Sequence, residues 1–343
     1  MFEADVYTPA SPASVKVAGS RVPERFTGTV SAVFDRALNI RIEGDPMIVA
    51  LVTRPAGLSA RALLIERIPH GAQPGDVVQL VDGTMTALGG QERGEARFPM
   101  EAQAPMLCWN PAEAAVYDGR VRCETAGSGL EITIEMRHRW LHAAVTDLRA
   151  VLSDSCAGKG GFVSLLEQGA QDAFVSRAAR CLAEGRGEAC IGLGIGLTPS
   201  GDDFLTGALL TCEVLGAEDG ALSRERIRAR LNDRSATTDV SRTQLLLALD
   251  GHAPAFLRPV LEMVTDAPAE PDESVGAGTS SPTDRSAGCG AARRLSTAKR
   301  VTAAAREATT HGQSSGCDAL AGVVWMLERV YAKRVRAGPG AAL

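Results

Sequence analysis

Hydrophobic and polar positions alternate along short runs in the first third of the chain. The run over 39–43 (NIRIE) alternates cleanly before the turn signal of 44–46 (GDP), which is typical of a half-buried strand. Similar β-rich runs, separated by Gly, Pro and Asp, cover 26–34, 47–53, 62–68, 77–80 and 84–87. Five or six short strands without a long helical period predict a small barrel or sandwich over 21–110.

The period changes to that of helices after this β-rich region. The spacing becomes helical around 111–120, and from Met136 onward apolar residues recur on one helical face: Trp140, Leu141, Val145, Leu148 and Leu152. Helices and loops are predicted from there to residue 336. We therefore expect an α+β protein, with an N-terminal β-barrel or sandwich-like module followed by a mainly helical C-terminal domain over 111–336.

Two segments depart from this pattern. Residues 1–20 are rich in prolines and small residues, which predicts a loose N-terminal tail, with an edge segment as the alternative. Residues 267–290 are crowded with Pro, Gly, Ser, Thr, Asp and Glu and contain no aromatic residue. Such a segment buries too little apolar surface to offset its ordering entropy, so we expect a disordered insertion within the helical domain.

Charge and composition exclude several classes of protein. The 343 residues include 36 basic and 41 acidic side chains, giving a net charge of −5, which argues against a non-specific nucleic-acid partner. The chain has no uninterrupted apolar run of about 20 residues and no secretory signal at its start, so we expect a cytoplasmic protein without a membrane partner. The eight cysteines lack CxxC spacing, which favours buried or free thiols.

The sharpest local feature is the glycine-rich run over 192–203 (GLGIGLTPSGDD), which precedes the apolar stretch 204–215. Its glycines permit backbone conformations and close approaches that a side chain forbids. The Ser and Asp three residues apart have the spacing of a capping box. A helix N-terminus of this kind favours an anion. The candidate anion-binding residues here are Gly194, Gly196, Thr198, Ser200 and Gly201.

Two adjacent carboxylates end this run. A tight loop with a well-capped helix explains Asp203 as a cap and leaves Asp202 unexplained. Asp202 would repel a bare phosphate unless it binds Mg²⁺ or a substrate N–H group. Both are candidate catalytic residues. The sequence predicts no definite cofactor; Mg²⁺ at this pair is the one candidate metal. The run is not a P-loop, because no Gly-Lys-Ser/Thr follows.

A second segment repeats the first. Residues 313–322 align without gaps on 198–207, and five pairs are identical: Ser200/Ser315, Gly201/Gly316, Asp203/Asp318, Leu205/Leu320 and Gly207/Gly322. One interpretation is two helices that cross at the last glycine pair, each capped by its own Ser and Asp. The other adds that both helix N-termini converge on one small anionic ligand. It makes Ser314, Ser315, Gly316 and Asp318 ligand-binding candidates and His311 a candidate for moving a proton, although a structural role for this histidine is equally open.

A third segment, 235–243 (SATTDVSRT), opens the predicted helix 244–249. Its hydroxyls either cap that helix or donate to a carboxylate or phosphate. Thr237, Thr238 and Ser241 are the candidates. The chain shows no Gly-x-Ser-x-Gly elbow and no Cys/His nucleophile pairing, so covalent catalysis is not expected.

The three segments, in this order, resemble the AllH family. The matching residues are 192–204 (GLGIGLTPSGDDF), Thr237 and Thr238 with Ser241, and 311–322 (HGQSSGCDALAG). The resemblance covers roughly 136–330, and the β-rich module agrees in order and length. The chain departs from the family in the 267–290 insertion and in Ile195, where the family often has proline.

The resemblance implies one subunit of a multi-subunit oxamate carbamoyltransferase of anaerobic allantoin breakdown, a transferase that works as a hetero-oligomer. Its reaction moves a carbamoyl group between oxalurate and phosphate, giving oxamate and carbamoyl phosphate. Companion subunits are implied, one of them resembling FdrA. The alternative is a non-catalytic ligand-binding or scaffolding subunit, and the subunit that holds the catalytic groups is left open.

The residues then suggest a mechanism. Helix-start amides over 198–202 and 314–317 would hold the phosphate or carboxylate. Asp202 and Asp203 would bind the carbamoyl NH₂ group or Mg²⁺, the hydroxyls of 237–241 would donate to the remaining oxygens, and His311 would move a proton.

Overall fold

The structure is a computed structural model that describes residues 12–90, 105–121, 134–159, 161–166, 173–265 and 299–337. The chain divides into two compact units. The first runs to Gly119 and includes 242–247 and 252–255; the second holds the rest from Arg120 onward.

The first unit is a β-barrel. Its strands are β1 (Ala13–Gly19), β2 (Phe26–Val33), β3 (Ala37–Ile42), β4 (Ile48–Val52), β5 (Ala62–Ile65), β6 (Asp76–Val81), β7 (Thr84–Gly90), β8 (Pro105–Cys108) and β9 (Ala115–Tyr117). They are hydrogen-bonded in the order β5-β4-β3-β2-β6-β7-β8-β1-β9, and β1 also pairs with β5. Because β1 pairs with both β8 and β5, the eight strands from β1 to β8 form a closed barrel, and β9 pairs alongside β1.

The alternation read from the sequence sets the barrel interior. β2 and β3 pair antiparallel, with Val30 opposite Ile40, and both side chains are buried. In β6 buried and half-buried positions alternate strictly. Inward-facing side chains from six strands form the core: Val30, Ile40, Leu51, Leu63, Leu80 and Leu107. The expected α+β class, with a barrel before a helical region, is confirmed.

Two expectations about this unit are wrong. The predicted loose tail over 1–20 contains β1, which pairs antiparallel with β5 and parallel with β8 and β9. This short strand is ordered by long-range pairing with β5, β8 and β9 rather than by its local sequence. The helical spacing around 111–120 instead gives a turn and β9, and the unit extends to Gly119 rather than to 110. Residues 1–11 and the predicted insertion over 267–290 lie outside the described residues.

The second unit is helical, although residues 242–247 of α5 group with the barrel unit. The helices are α1 (Ile134–Ser155), α2 (Ala173–Ala183), α3 (Ser200–Leu215), α4 (Arg224–Leu231), α5 (Asp239–Leu249), α6 (Arg258–Thr265), α7 (299–308) and α8 (Ser315–Ala337), with short 3₁₀ turns at Gly161–Leu165 and Gly187–Cys190. Within the described ranges, none of them is long and apolar enough to cross a bilayer.

A close crossing of α3 and α8 forms the centre of this unit. A Cβ atom at Gly207 would lie 1.9 Å from the carbonyl oxygen of Ala319, and one at Gly322 would lie 2.0 Å from that of Phe204. Ala319 and Phe204 occupy equivalent positions in the repeat, so the contact is reciprocal. Only glycine permits backbones to approach this closely. The crossing expected at the glycine pair is therefore confirmed.

A disulfide fastens the start of α8 to the end of α1. Cys156 follows α1, and Cys317 lies in the first turn of α8; their Cα atoms are 6.2 Å apart. The expectation of free thiols is wrong for this pair, because the two cysteines are 161 residues apart in sequence and are brought together by the packing. It holds for four others: Cys108, Cys181, Cys190 and Cys212.

We expect Gly207→Ala to lower the free energy of unfolding by about 3 kcal/mol, because the added methyl group meets backbone atoms that no rotamer change can move. Gly220→Ala is the matched control, since a Cβ atom there meets nothing within 4 Å, and its effect should stay within about 0.5 kcal/mol. Urea denaturation followed by circular dichroism measures both. Equal stability of the two variants would contradict the close crossing.

Candidate functional site

The N-termini of α3 and α8 meet at a pair of hydroxyl groups. Thr198 precedes α3, Ser315 opens α8, and their oxygen atoms are 2.7 Å apart in a hydrogen bond. Both side chains are half-buried. The structure thus brings together the first and second sequence segments, 117 residues apart at this contact.

The glycine-rich loop folds back on the start of α3. Gly194 and Gly196 have φ angles of +120° and +97°, in the left-handed region that favours glycine. The amide of Gly201 donates to the carbonyl of Leu193 at 2.8 Å. At the loop tip, the Ile195 side chain is 94 % exposed. The loop is therefore fixed at its base and presents an apolar side chain to solvent.

Asp202 anchors this loop. One carboxylate oxygen accepts the amide of Gly192 at 2.8 Å, and the other accepts the Thr237 hydroxyl. Both oxygens are thus engaged by the protein, which differs from the expected role in binding a substrate N–H group or Mg²⁺. Within the described ranges, no group of three or more His, Cys, Asp or Glu side chains is placed to hold a metal ion.

Asp203 lies beneath the hydroxyl pair. It is 2 % exposed, and its Oδ2 atom has no hydrogen-bond partner among the described residues. Burial raises the pKa of this carboxyl well above its ordinary value, and the nearby carboxylates of Asp318 and Asp202 raise it further, while hydrogen bonds with Ser315 and Thr198 oppose the rise. The raised pKa favours the protonated form of Asp203.

The expected capping box is wrong. The N-cap of α3 is Pro199, and no side chain caps this end. Ser200 already lies inside the helix, so its hydroxyl is not at the cap position. The side chain of Asp203 turns instead to the neighbouring helix start, because the crossing places Ser315 within its reach.

Asp318 is the counterpart of Asp203 on α8. It is fully buried, and its Oδ1 atom accepts the amide of Phe162 at 2.7 Å. Burial raises its pKa to about 6, against the opposing hydrogen bonds from the Phe162 amide and from the hydroxyls of Ser200 and Ser314. Its Oδ2 atom has no partner among the described residues. Each carboxyl group thus contacts a serine of the other helix.

Several helix-start amides are already engaged. In α3, the Gly201 and Asp202 amides donate to the carbonyls of Leu193 and Pro199. In α8, the Gly316 amide donates to the carbonyl of His311, and the Asp318 amide to that of Ser314. This differs from the expectation that such amides hold an anion. The hydroxyls of Thr198, Ser314 and Ser315 are half-buried and lie at the surface of this junction.

The third segment joins the same region. Thr237 donates to Asp202, and Thr238 donates to the carbonyl of Leu197 at 2.6 Å. Ser241 is buried; its amide donates to the Thr238 hydroxyl at 3.2 Å, and its own hydroxyl has no partner among the described residues. The following helix begins at Asp239, earlier than the predicted 244. The Thr237 and Thr238 hydroxyls therefore hold the loop in place.

The backbone carbonyl of His311 accepts the amide of Gly316 in the first turn of α8. Its ring stacks on Phe256, with 4.0 Å between ring centroids and 6° between planes. Burial lowers the pKa of this imidazole, so it is neutral at pH 7. The expected role in proton transfer stays a prediction.

One contributor was missed by the sequence reasoning. The turn Gly161–Leu165 supplies the Phe162 amide to Asp318, and a Cβ atom at Gly161 would lie 2.3 Å from Oδ1 of that carboxylate. Gly161 was the available sequence signal for this contact, but Phe162 and Asp318 are 156 residues apart in the sequence.

Comparison with known families bears on the same region. Residues 190–293 match the family model described as oxamate carbamoyltransferase subunit AllH. The match confirms the AllH resemblance. The matched range includes the glycine-rich loop, α3 and the third segment, and it ends before the repeat over 313–322. The part of the match beyond residue 265 lies outside the described residues. The chain has no significant match among curated proteins or solved structures.

We expect the stability of the fold to fall as the pH rises from about 4 to about 6, in part because of Asp318. Its folded pKa of about 6 exceeds the ordinary 3.8, so the folded state binds this proton more tightly and ionisation favours unfolding, by up to about 3 kcal/mol. Asp318→Asn should remove this contribution, whereas the exposed control Asp154→Asn should keep the wild-type profile. Urea titrations across this pH range measure the difference. Parallel profiles for wild type and Asp318→Asn would contradict the assignment.

Proposed function

We propose that this chain is a subunit of an oxamate carbamoyltransferase, and that the junction of α3 and α8 binds its small anionic substrates. One observation carries the proposal: the hydroxyls of Thr198 and Ser315 meet 2.7 Å apart over the buried carboxyl of Asp203. The α3 side of that junction lies within the range that matches AllH.

The reaction is the transfer of a carbamoyl group from oxalurate to phosphate. The bond between the carbamoyl carbon and the oxalurate nitrogen breaks, and a bond from that carbon to a phosphate oxygen forms. The proton of hydrogen phosphate ends on the nitrogen of the leaving oxamate. Such a transfer needs orientation, charge stabilisation and a group that holds a proton, and it needs no nucleophilic side chain.

The hydroxyl pair supplies orientation and charge stabilisation. Thr198 and Ser315 are half-buried hydroxyls, and a hydroxyl donates to a phosphate or carboxylate oxygen. A carboxylate directly behind them would repel that anion. The raised pKa of Asp203 favours the neutral form of its carboxyl, which lessens the repulsion.

Asp203 also holds a proton next to the site. It is buried and contacts Ser315 and Thr198, so it acts through these hydroxyls rather than by touching the substrate. A protonated carboxyl can exchange its proton along such a hydroxyl pair. Asp203 is therefore the proton-holding group of the proposal, in place of His311, whose ring is stacked on Phe256.

Companion subunits complete the proposed enzyme. The family description names a subunit, which supports a hetero-oligomer; we include an FdrA-like subunit among its companions. The glycine-rich loop next to Thr198 carries Ile195 and Leu197, which are 94 % and 52 % exposed. Apolar side chains presented in this way favour a contact with another protein. The same observation favours the second candidate, a non-catalytic scaffolding subunit.

We expect Asp203→Asn to lower carbamoyl phosphate formation at least about 100-fold, because an amide keeps the shape of the carboxyl but holds no exchangeable acid proton. The assay is oxalurate phosphorolysis by the chain reconstituted with the companion subunits encoded beside its gene. The exposed Asp233→Asn serves as the matched control and should keep full turnover.

Wild-type turnover in the mixture with full activity of Asp203→Asn would contradict the role of Asp203. No turnover by the assembled wild-type complex would contradict the proposed enzyme. If Asp203→Asn abolished assembly while catalysis by the companion subunits persisted without this chain, the scaffolding function would be supported instead.

A further inference from the structure

The disulfide between the end of α1 and the start of α8 acts together with two hydrogen bonds. Lys159 Nζ donates to the carbonyl of Thr309 at 3.4 Å, and the Phe162 amide donates to Oδ1 of Asp318 at 2.7 Å. The disulfide adds a covalent bond between the same two segments. The position of the α8 start, which carries Ser315, therefore depends on whether this bond is closed or open.

Two features favour the thiolate of Cys317 once the bridge is open. Cys317 lies in the first turn of α8, where the helix dipole stabilises a negative charge. The ammonium group of Lys159 lies 3.8 Å from the Cys317 sulfur atom, and a neighbouring positive charge has the same effect. The carboxyl group of Asp318 is directed to the Phe162 amide. Cys317 is therefore a good leaving group in thiol–disulfide exchange.

Cys156 is the sulfur that a reductant would attack. It directly follows α1, and the dipole at a helix C-terminus disfavours a thiolate, so Cys156 is the poorer leaving group. Cys156 is buried, but the next three residues, Ala157, Gly158 and Lys159, are exposed. A Cβ atom at Gly158 would meet nothing within 4 Å, so this turn lies in the solvent. A shift of the turn would uncover Cys156 while α3 and α8 stay packed.

We propose that the bridge between Cys156 and Cys317 is a redox switch, which a dithiol reductant opens by attack at Cys156. In the oxidised chain the start of α8 is fastened to the end of α1. In the reduced chain it is released, together with the Ser315 hydroxyl that meets Thr198. The switch goes beyond the proposed function, and only its effect on turnover rests on that function.

The exchange balances in two steps. A thiolate of the reductant attacks the Cys156 sulfur, the bond between the two cysteine sulfurs breaks, and its electron pair leaves on Cys317. The second thiolate of the reductant then attacks the mixed disulfide, closes a disulfide within the reductant and releases Cys156. The reductant loses two electrons and two protons, and the protein gains them as two thiols.

The first measurement titrates the full chain with mixtures of reduced and oxidised dithiothreitol at slightly alkaline pH, followed by alkylation and peptide mass mapping. In the wild type, Cys156 and Cys317 should become alkylated together while circular dichroism remains that of the folded chain. Lys159→Met should need about threefold more reduced relative to oxidised reagent, because the thiolate loses a nearby positive charge.

Two lysine variants are the matched controls for this titration. Lys159→Arg keeps the positive charge and should titrate as the wild type does. Lys16→Met removes an exposed lysine that pairs with Glu66 in the barrel unit, so it should not change the titration either.

Hydrogen exchange of the oxidised and reduced chains identifies the segment that the switch releases. Reduction should raise the exchange rate of amides in 309–318 about fivefold or more. Amides of α8 beyond Gly322 should stay protected, because the crossing with α3 persists. Cys156→Ser should show the faster exchange under both conditions, whereas Cys108→Ser, which removes an exposed free thiol, should respond as the wild type does.

Turnover of oxalurate by the reconstituted complex tests the effect on the proposed site. The reduced complex should form carbamoyl phosphate at least about threefold more slowly than the oxidised complex, because a released Ser315 misplaces the ligand. Cys156→Ser should be equally slow under both conditions, which separates this bridge from thiols of the companion subunits.

Free thiols at Cys156 and Cys317 in the oxidised chain, or a bridge that the dithiol opens only after unfolding, would overturn the switch. Equal exchange of 309–318 in the two forms, or equal titrations of Lys159→Met and Lys16→Met, would also overturn it. Equal turnover of the two forms refutes control of the site alone. No turnover by either form refutes the proposed function and leaves the exchange rates to decide on the switch.

Discussion

The close crossing of α3 and α8 is the constraint on which the rest of the helical unit depends. Gly207 and Gly322 each meet a backbone carbonyl of the other helix at a distance that excludes any side chain. With the crossing fixed, the two helix starts lie at a set separation, and Thr198 reaches Ser315. The carboxyl group one turn into each helix then contacts a serine of the other. The approach of these four side chains follows from this packing.

The crossing also explains why two carboxyl groups are buried together. Burial of an ionised carboxyl is costly, and the cost appears as a raised pKa for both Asp203 and Asp318. The amide of Phe162 stabilises the ionised form of one of them. The disulfide between Cys156 and Cys317 fastens the same end of α8 to the segment just before that amide. Asp203 and Asp318 therefore differ in their partners, because Phe162, whose amide donates to Asp318, lies outside the repeated segments.

The sequence predicts this architecture where the signal is local or repeated. Alternation identified most barrel strands, and the paired Ser-Gly-x-Asp segments identified the crossing. The alternation could not identify β1, because that strand is ordered by pairing with β5 and β8, which lie far along the chain. The role of Asp202 was missed for a similar reason: its two partners belong to a loop before α3 and to a threonine 35 residues after it. The donors that a carboxylate accepts depend on the tertiary structure, which the local sequence does not reveal.

A double-mutant cycle tests the reciprocal junction most directly. Asp203→Asn and Ser315→Ala, alone and combined, are compared by their free energies of unfolding in urea. If the crossing brings these two side chains into one hydrogen-bonded unit, their effects differ from additivity by about 1 kcal/mol or more. The pair Asp203→Asn with Ser235→Ala, which shares no contact, should be additive within about 0.5 kcal/mol. Additivity of Asp203→Asn with Ser315→Ala would contradict the account.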